Sequence, residues 1–448
     1  MLTIPEAEAR AAALIERARH FGADAADAVY FADASTSVQV RLGELEDVNR
    51  SEGEVMGLRL FVGTRSASVS SSDLSDDALA ALVERAVAMA REAPEDSYAG
   101  LAPQERLMQG VMPDLEADDG GDPAPGEMKA RALAIEDAGR SVAGIANSEG
   151  ASVSAGRTII ALATSHGFCR GYSTSGYSAS ASLIAGEGSE MQRDYAHHSV
   201  RHLEELDDPE TLGRRAAERA VARLRPAKPA SGVVPVVFDP RVGSSFLGHL
   251  IAAITGPSIT RRTSFLLEDE GKQVFAPRIT IVDDPHRRRG LRSKPFDGEG
   301  LPTAASKLVD AGRLTGWLLD SASARQLGRE PTGHATRGAG GGPGVGATNV
   351  HIEAGALSAE ALIGEVANGL YVTELIGQGV NPVTGDYSRG ASGFRIENGK
   401  LGAPVAEITI AGNLREMFAG MTAASDLAFR RAANVPTLRV EAMTVAGA

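Results

Sequence analysis

Between Gly377 and Leu414 the chain reads GQGVNPVTGDYSRGASGFRIENGKLGAPVAEITIAGNL, a stretch too rich in glycine to be helix. Gly377, Gly379, Gly385, Gly390 and Gly393 punctuate its polar half. Glycine at that density serves backbone with positive φ, or backbone that another group must approach closely. The remainder predicts a hairpin. Phe394–Ile396 reads as a strand, Asn398-Gly399 is the dipeptide of a type I′ turn, and Val405–Ile410 supplies a further strand. Glu397 and Lys400 flank the turn with opposite charges. A polar, glycine-rich loop carried on a hairpin suits a binding wall made from main chain, with the chemistry placed elsewhere.

The length, 448 residues, suffices for two or three domains. A net charge of −13 argues against unassisted binding to nucleic acid or an anionic membrane. One cysteine, Cys169, excludes an internal disulfide and a cysteine-cluster metal site. Charges interrupt every apolar run near the N-terminus, which reads as no signal peptide, and no apolar run is long enough to span a bilayer. The expectation is a cytoplasmic globular protein.

Helical periodicity over about Pro5–Phe21 is followed by strands at Ala28–Phe31, Ser37–Leu42, Gly57–Val62 and Ala67–Ser70. A helix from Asp76 to Ala93 has Ser75 as its N-cap. Ala102–Pro125, with its DDGGDPAP run, reads as an exposed acidic connection, and a helix over Glu127–Ile145 follows. In Ser178–Leu183 serines alternate with small apolar residues, the pattern of an antiparallel sheet with one wet face. A charged helix over Pro209–Leu224 leads to the linker Pro226–Gly232. The predicted fold class is α+β. Residues 1–228 form an N-terminal two-layer α/β domain with an antiparallel sheet, its parts about 1–100 and 126–228; residues 229–448 form a mainly-β glycine-rich domain.

Candidate chemistry is sparse. His197, His198 and His202 lack the glutamate of a metallopeptidase helix and read as a polar edge. His249 lies in the helical SSFLGHLIAAITG without a second histidine one turn on. Cys169 has His166 nearby, but reads as a small buried thiol. GYSTSG misses the spacing of a nucleophile elbow. The run Arg337–Asn349 has the glycines of a phosphate loop without its Lys-Ser/Thr, and reads as a flexible loop. His286-Arg287-Arg288-Arg289, with Arg292 and Lys294, forms a basic cluster expected to meet carboxylates. Phe296-Asp297-Gly298-Glu299-Gly300 sets two carboxylates two apart, either a solvated turn or a site for a metal or amine.

Five motifs occur in order: Val237–Pro240 (VFDP), Asp283–Gly300 (DDP then FDGEG), Pro343–Gly355 (PGVGATNVHIEAG), Gly379–Phe394 (GVNPVTGDYSRGASGF) and Ile408–Leu414 (ITIAGNL). Together they resemble the TldD/PmbA family, also called TldD/TldE, and in particular its PmbA (TldE) branch. The resemblance implies a two-subunit cytoplasmic zinc peptidase that cleaves extended peptides or unfolded segments. In the catalytic subunit, zinc is held by a His-Glu-x-x-x-His helix and a cysteine. Here the corresponding helix is Phe246–Ile254, with Gly248, His249 and Ala253 at the His, Glu and His positions. No cysteine stands near Gly377 to complete the set. The implied role is therefore a non-catalytic subunit with no metal of its own, zinc residing in a TldD-like partner. An interface left exposed without its partner favours a homodimer when the chain is isolated, and main-chain edges suit strand-addition binding of an extended peptide. Gly379, Asp386, Tyr387, Arg389, Asp297 and Glu299 are the expected cavity-lining residues. Alternatives are a stand-alone hydrolase using a metal held by His249, Asp297 and Glu299, and an adaptor of the gyrase-modulator type.

Overall fold

The computed structural model describes residues 1–447. Its N-terminal half is one six-stranded antiparallel sheet under four helices. In chain order these are α1 (Ile4–His20), β1 (Ala25–Arg41), β2 (Glu44–Val62), β3 (Arg65–Ser71), α2 (Asp76–Glu92), α3 (Pro125–Arg140), β4 (Ile145–Thr164), β5 (Cys169–Ala185), β6 (Gln192–Val200) and α4 (Pro209–Ala222). The strand order is β3-β2-β1-β4-β5-β6. Alternation along β1 determines which face is covered. Ala26, Ala28, Tyr30 and Ala32 pack against α1 and α2, while Val38 and Val40, in the same phase, pack against α3 and α4. All four helices thus share one face.

The opposite face is divided. Val29, Leu162 and Phe168 form an apolar patch that receives Leu107, Met108, Phe296 and Leu301 from the rest of the chain. Beyond it, on β4 and β5, Ser152 pairs with Ser180 at 2.9 Å and Ser154 with Ser178 at 2.7 Å. These serines form the wet face expected from the Ser–Ala alternation.

The C-terminal half centres on β7 (Gly232–Phe238), which runs parallel to the strand Asn368–Ile376 and antiparallel to Leu438–Ala446. Asp386–Glu397 and Lys400–Asn413 continue the sheet, and the last of these pairs back onto Leu438–Ala446. Five strands thereby close on themselves, which removes the exposed edges of an open sheet. Phe238, Leu370, Val372, Tyr387, Ala391 and Ile410 fill the interior together with α5 (Pro240–Gly243) and α6 (Ser245–Ile254). The fold is α+β, as expected, with the anticipated hairpin turn: Asn398 and Gly399 have φ of 51° and 76°.

Several expectations are corrected. The two strands predicted at Ala28–Phe31 and Ser37–Leu42 are one, because ladder bonds to β2 and β4 carry residues 32–36 through without an apolar pattern of their own. The helix predicted to reach Ile145 ends at Arg140, and Ile145 opens β4. The acidic connection is a docked strap rather than an exposed loop. Leu107, Met108 and Leu115 are buried, Met108 N donates to the Gly300 carbonyl (2.8 Å), and the Leu115 carbonyl accepts from Arg289 N (2.8 Å). Even the linker is held, since Ala227 N donates to the Pro404 carbonyl at 2.9 Å.

Candidate functional site

Helix α6 packs into the core that the closed sheet shares. Phe246, Leu247, Leu250 and Ile254 hold it in the core, so its other flank presents Gly248 and His249. Gly248 is exposed and offers no side chain, and Ala253 is a buried methyl. His249 stands edge-on to Tyr387 with ring centroids 6.0 Å apart. Burial, and then the nearby Arg389 charge, lower the histidine pKa and keep the ring neutral. Its Nε2 is enclosed without a hydrogen-bond partner. Of Gly248, His249 and Ala253, the positions expected to match the zinc helix, one carries a donor, and among the described residues no three His, Cys, Asp or Glu side chains converge as a metal site would require. These residues do not fit a zinc ion.

The glycine-rich segment is less of a loop than expected. Residues 377–385 turn, while Gly390 and Gly393 lie inside the strand Asp386–Glu397. Gly379 is needed for close approach: its carbonyl accepts from Ser388 N at 2.7 Å, and a Cβ there would overlap the Ser388 carbonyl oxygen. Strand alternation then separates the three expected side chains. Asp386 points outward and is tied to Thr384 (2.6 Å) and Asn413 (3.1 Å), which lower its pKa. Tyr387 is 1% exposed, with its pKa pushed up to about 12 by burial against the opposing Arg389 charge. Arg389 shares the phase of Tyr387 but reaches a cavity. That cavity, of about 280 Å³, is lined by Arg193, Asp194, Arg223, Arg241, Thr373 and Arg389, among others. It lies where the edge strand β6 meets the closed sheet. A wider groove of about 530 Å³ runs over the serine face beside it, and Arg193 and Tyr195 line both.

The acidic turn occupies a second region. Asp297 and Glu299 are 1% and 5% exposed, which rules out the solvated turn. Asp297 accepts from Glu299 N, Leu301 N and Ala335 N at 2.9–3.1 Å, and burial nonetheless raises its pKa. Glu299 accepts from Ser321 N and Oγ at 2.8 and 2.7 Å; burial and then the Asp297 charge push its pKa up to about 7. Lys294, partly buried with its Nζ donating to the Ala335 carbonyl at 2.8 Å, has its pKa lowered by desolvation against the attraction of Asp297. Asp297 lines a cavity of about 170 Å³ with Val29, Phe31, Tyr172, Phe296 and Arg337. The sequence reading missed the charges that complete this region. Asp27 on β1 is paired with Arg59 (2.5 Å) and with Arg337, all three largely buried. Partners so far apart along the chain leave no local pattern. The structure does not bring His249 together with Asp297 and Glu299.

The remaining candidates resolve locally. His202 Nε2 meets the Glu116 carbonyl at 2.9 Å, and His198 Nδ1 faces Asp207 N and its carboxylate at 3.1 Å, on the helix-covered side of β6. His197 points to the open face at 3.1 Å from Ser199. The expectation of a buried thiol fails: Cys169 is exposed at the start of β5. His166 Nδ1 is engaged by the Ala102 carbonyl at 3.0 Å, not by a thiolate. The glycine run near Arg337 is docked rather than loose. Arg337 joins Asp27, and a Cβ on Gly57 of β2 would overlap the Ala339 backbone. The basic cluster meets carboxylates of this chain, Arg288 and Arg289 reaching Glu116 and Arg289 also Glu204 and Glu205, while Arg287 stacks over Phe429.

Three family models match: the PmbA/TldA metallopeptidase domain 1 over residues 26–90, central domain over 118–224 and C-terminal domain over 231–447. Metalloprotease PmbA of Escherichia coli O157:H7 is 38% identical over 426 residues, covering 95% of this chain and 92% of that protein. Similarity to a Haemophilus influenzae metalloprotease TldD homolog is 30% over 224 residues, 48% of this chain and 45% of that one. Among solved structures, a Bacteroides thetaiotaomicron protein described as a candidate modulator of DNA gyrase superposes with a TM-score of 0.92 at 27% identity, covering 100% of both chains. TldE from Thermococcus kodakarensis gives 0.87 at 22% identity over 98% and 100%, a likeness of fold. A match over 95% of the chain in sequence, with three successive family domains, makes the chain a member of the PmbA/TldD metallopeptidase family.

Proposed function

We propose that this chain is the non-catalytic subunit of a cytoplasmic heterodimeric zinc metallopeptidase, in which a TldD-like partner carries the metal and this chain completes the substrate chamber. The carrying observation is the zinc helix itself. Gly248 and Ala253 supply no donor, and the water-activating carboxylate is replaced by His249. Two further features support the reading. The serine face of β4 and β5 offers small hydroxyls beside an open groove, a surface that accepts an extended peptide with little regard to its side chains. The β1–β2 hairpin projects a tip, residues 41–53, that is exposed almost throughout and carries Leu42, Leu45 and Val48, a suitable arm for another polypeptide. On this reading Gly379, Asp386 and Arg389 border the chamber, whereas Tyr387, Asp297 and Glu299 support it from within. The working division is residues 1–228 and 229–448.

The test uses the chain purified alone and together with a TldD-like protein from its own host. The expected result is co-purification, zinc content and peptidase activity in the pair, and neither zinc nor activity in this chain alone. Stoichiometric zinc with peptide cleavage by the isolated chain would overturn the proposal, as would failure of the two proteins to associate. Gyrase affinity that falls steeply with salt would favour the adaptor alternative.

A further inference from the structure

Four arginines line the cavity at Arg389, and three of them are paired with carboxylates. Arg241 is paired with Asp194 (2.8 Å) and Asp239 (3.3 Å), Arg223 with Asp194 (3.5 Å) and Glu374, and Arg193 with Glu149 (3.2 Å). Arg389 alone of the four lining arginines makes no ion pair among the described residues. Its Nε is buried without an acceptor. A second group stands in the same condition. Thr373, on the neighbouring strand and 8% exposed, lines the cavity with its Oγ1 buried and unpartnered. Buried polar groups left open in this way are uncommon, and each calls for a partner of its own. A guanidinium without an ion pair and a hydroxyl without a partner, lining one cavity, suit an acceptor carrying about one negative charge.

We propose that this cavity binds a carboxylate, presented by the C-terminus of a peptide lying along the serine face. The carboxylate accepts from the Arg389 guanidinium and from Thr373 Oγ1. The size agrees: about 280 Å³ takes a terminal residue, not a folded domain. So does the path, because the serine groove and the cavity share Arg193 and Tyr195 at their junction. A single unpaired guanidinium matches a monoanion better than a phosphate dianion. The peptide as the source of the carboxylate rests on the chamber reading above; the anion site itself does not.

Calorimetric titration of the full chain tests this with four probes: penta-alanine as free acid, the same peptide amidated, acetate and inorganic phosphate. The free acid is expected to bind at least about tenfold more tightly than the amide, the worth of one charge-assisted hydrogen bond. Arg389→Gln is expected to abolish that difference, and Thr373→Val to reduce it several-fold. Acetate binding that disappears in Arg389→Gln, without discrimination between the peptides, would support the carboxylate site with a small-molecule source. Acid and amide binding alike together with no acetate response, or phosphate binding alone, would overturn it. Should Arg389→Gln fail to fold, the wild-type comparison and Thr373→Val still decide. Association with the TldD-like subunit is measured separately, so loss of carboxylate discrimination with assembly intact refutes this site and leaves the chamber reading standing.

Discussion

Glu299 lets the energetics of the buried turn be worked through. Its pKa rises from 4.5 to about 7 because the carboxyl is buried and faces the Asp297 charge, while Arg59 and Ser321 offset only part of the penalty. The folded pKa exceeds the unfolded one, so between about pH 4.5 and 7 the folded protein retains a proton that the unfolded chain releases. Stability from this group is therefore complete below about pH 4.5 and is lost as pH rises through 7. At about 1.4 kcal/mol for each pH unit, the full loss is about 3 kcal/mol. Glu299→Gln keeps the shape and the acceptor for Ser321 but never ionises. It should be close to neutral at pH 4.5 and stabilising by about 3 kcal/mol at pH 8. Trp317, the sole tryptophan and buried four residues before Ser321, reports the unfolding of this region by fluorescence. In urea the pH 8 midpoint should rise by about 1 M or more, given slopes of about 1–3 kcal/mol per molar. A variant whose midpoint follows pH in parallel with the wild type, or falls below it at pH 8, would refute the assignment of a buried, proton-holding carboxyl.

Asp27→Asn strands Arg59 and Arg337 together in a buried site; a loss of about 3–5 kcal/mol is expected, visible as faster amide exchange on both sides of the β1–Arg337 contact. Gly393→Ala drives a methyl into the Tyr371 carbonyl within the closed sheet and should lower stability by about 1–3 kcal/mol, seen as an earlier melting transition. Tyr387→Phe removes a buried hydroxyl that has no partner, so its melting temperature should match or exceed that of the wild type. A marked fall would show that the hydroxyl is satisfied after all.

What could be read in advance follows from range. The Asn398-Gly399 turn, the Ser75 cap and the Ser–Ala alternation of β5 act over a few residues, and each appears where local chemistry places it. The long glycine motifs carried the family. The continuity of β1 through Ala32–Thr36 depends on two neighbouring strands, and no periodicity in those residues announces it. Burial of Asp297 and Glu299 depends on a strap from Leu107–Met108 and a docked sheet face, so a turn-like composition misled. Cys169 erred in the other direction, since a small thiol at a strand's first residue can face outward. Arg389 was singled out from its motif, but its partner in the cavity, Thr373, is supplied by a neighbouring strand and had no local mark.

The shared N-terminal sheet has a consequence for how the chain is born. The seam between β1 and β4 joins residues such as Asp33 and Thr158, whose side chains meet across 125 positions of sequence. During synthesis β1, β2 and β3 emerge as a hairpin ribbon with one long unpaired margin, and their true neighbour is translated only later. For that interval the nascent chain presents a strand edge of the kind that recruits other copies, and closing so distant a contact is slow. A truncation ending before β4 should accordingly aggregate rather than yield a small soluble domain. Chaperone demand in the cell should be concentrated on the interval before the seam is made.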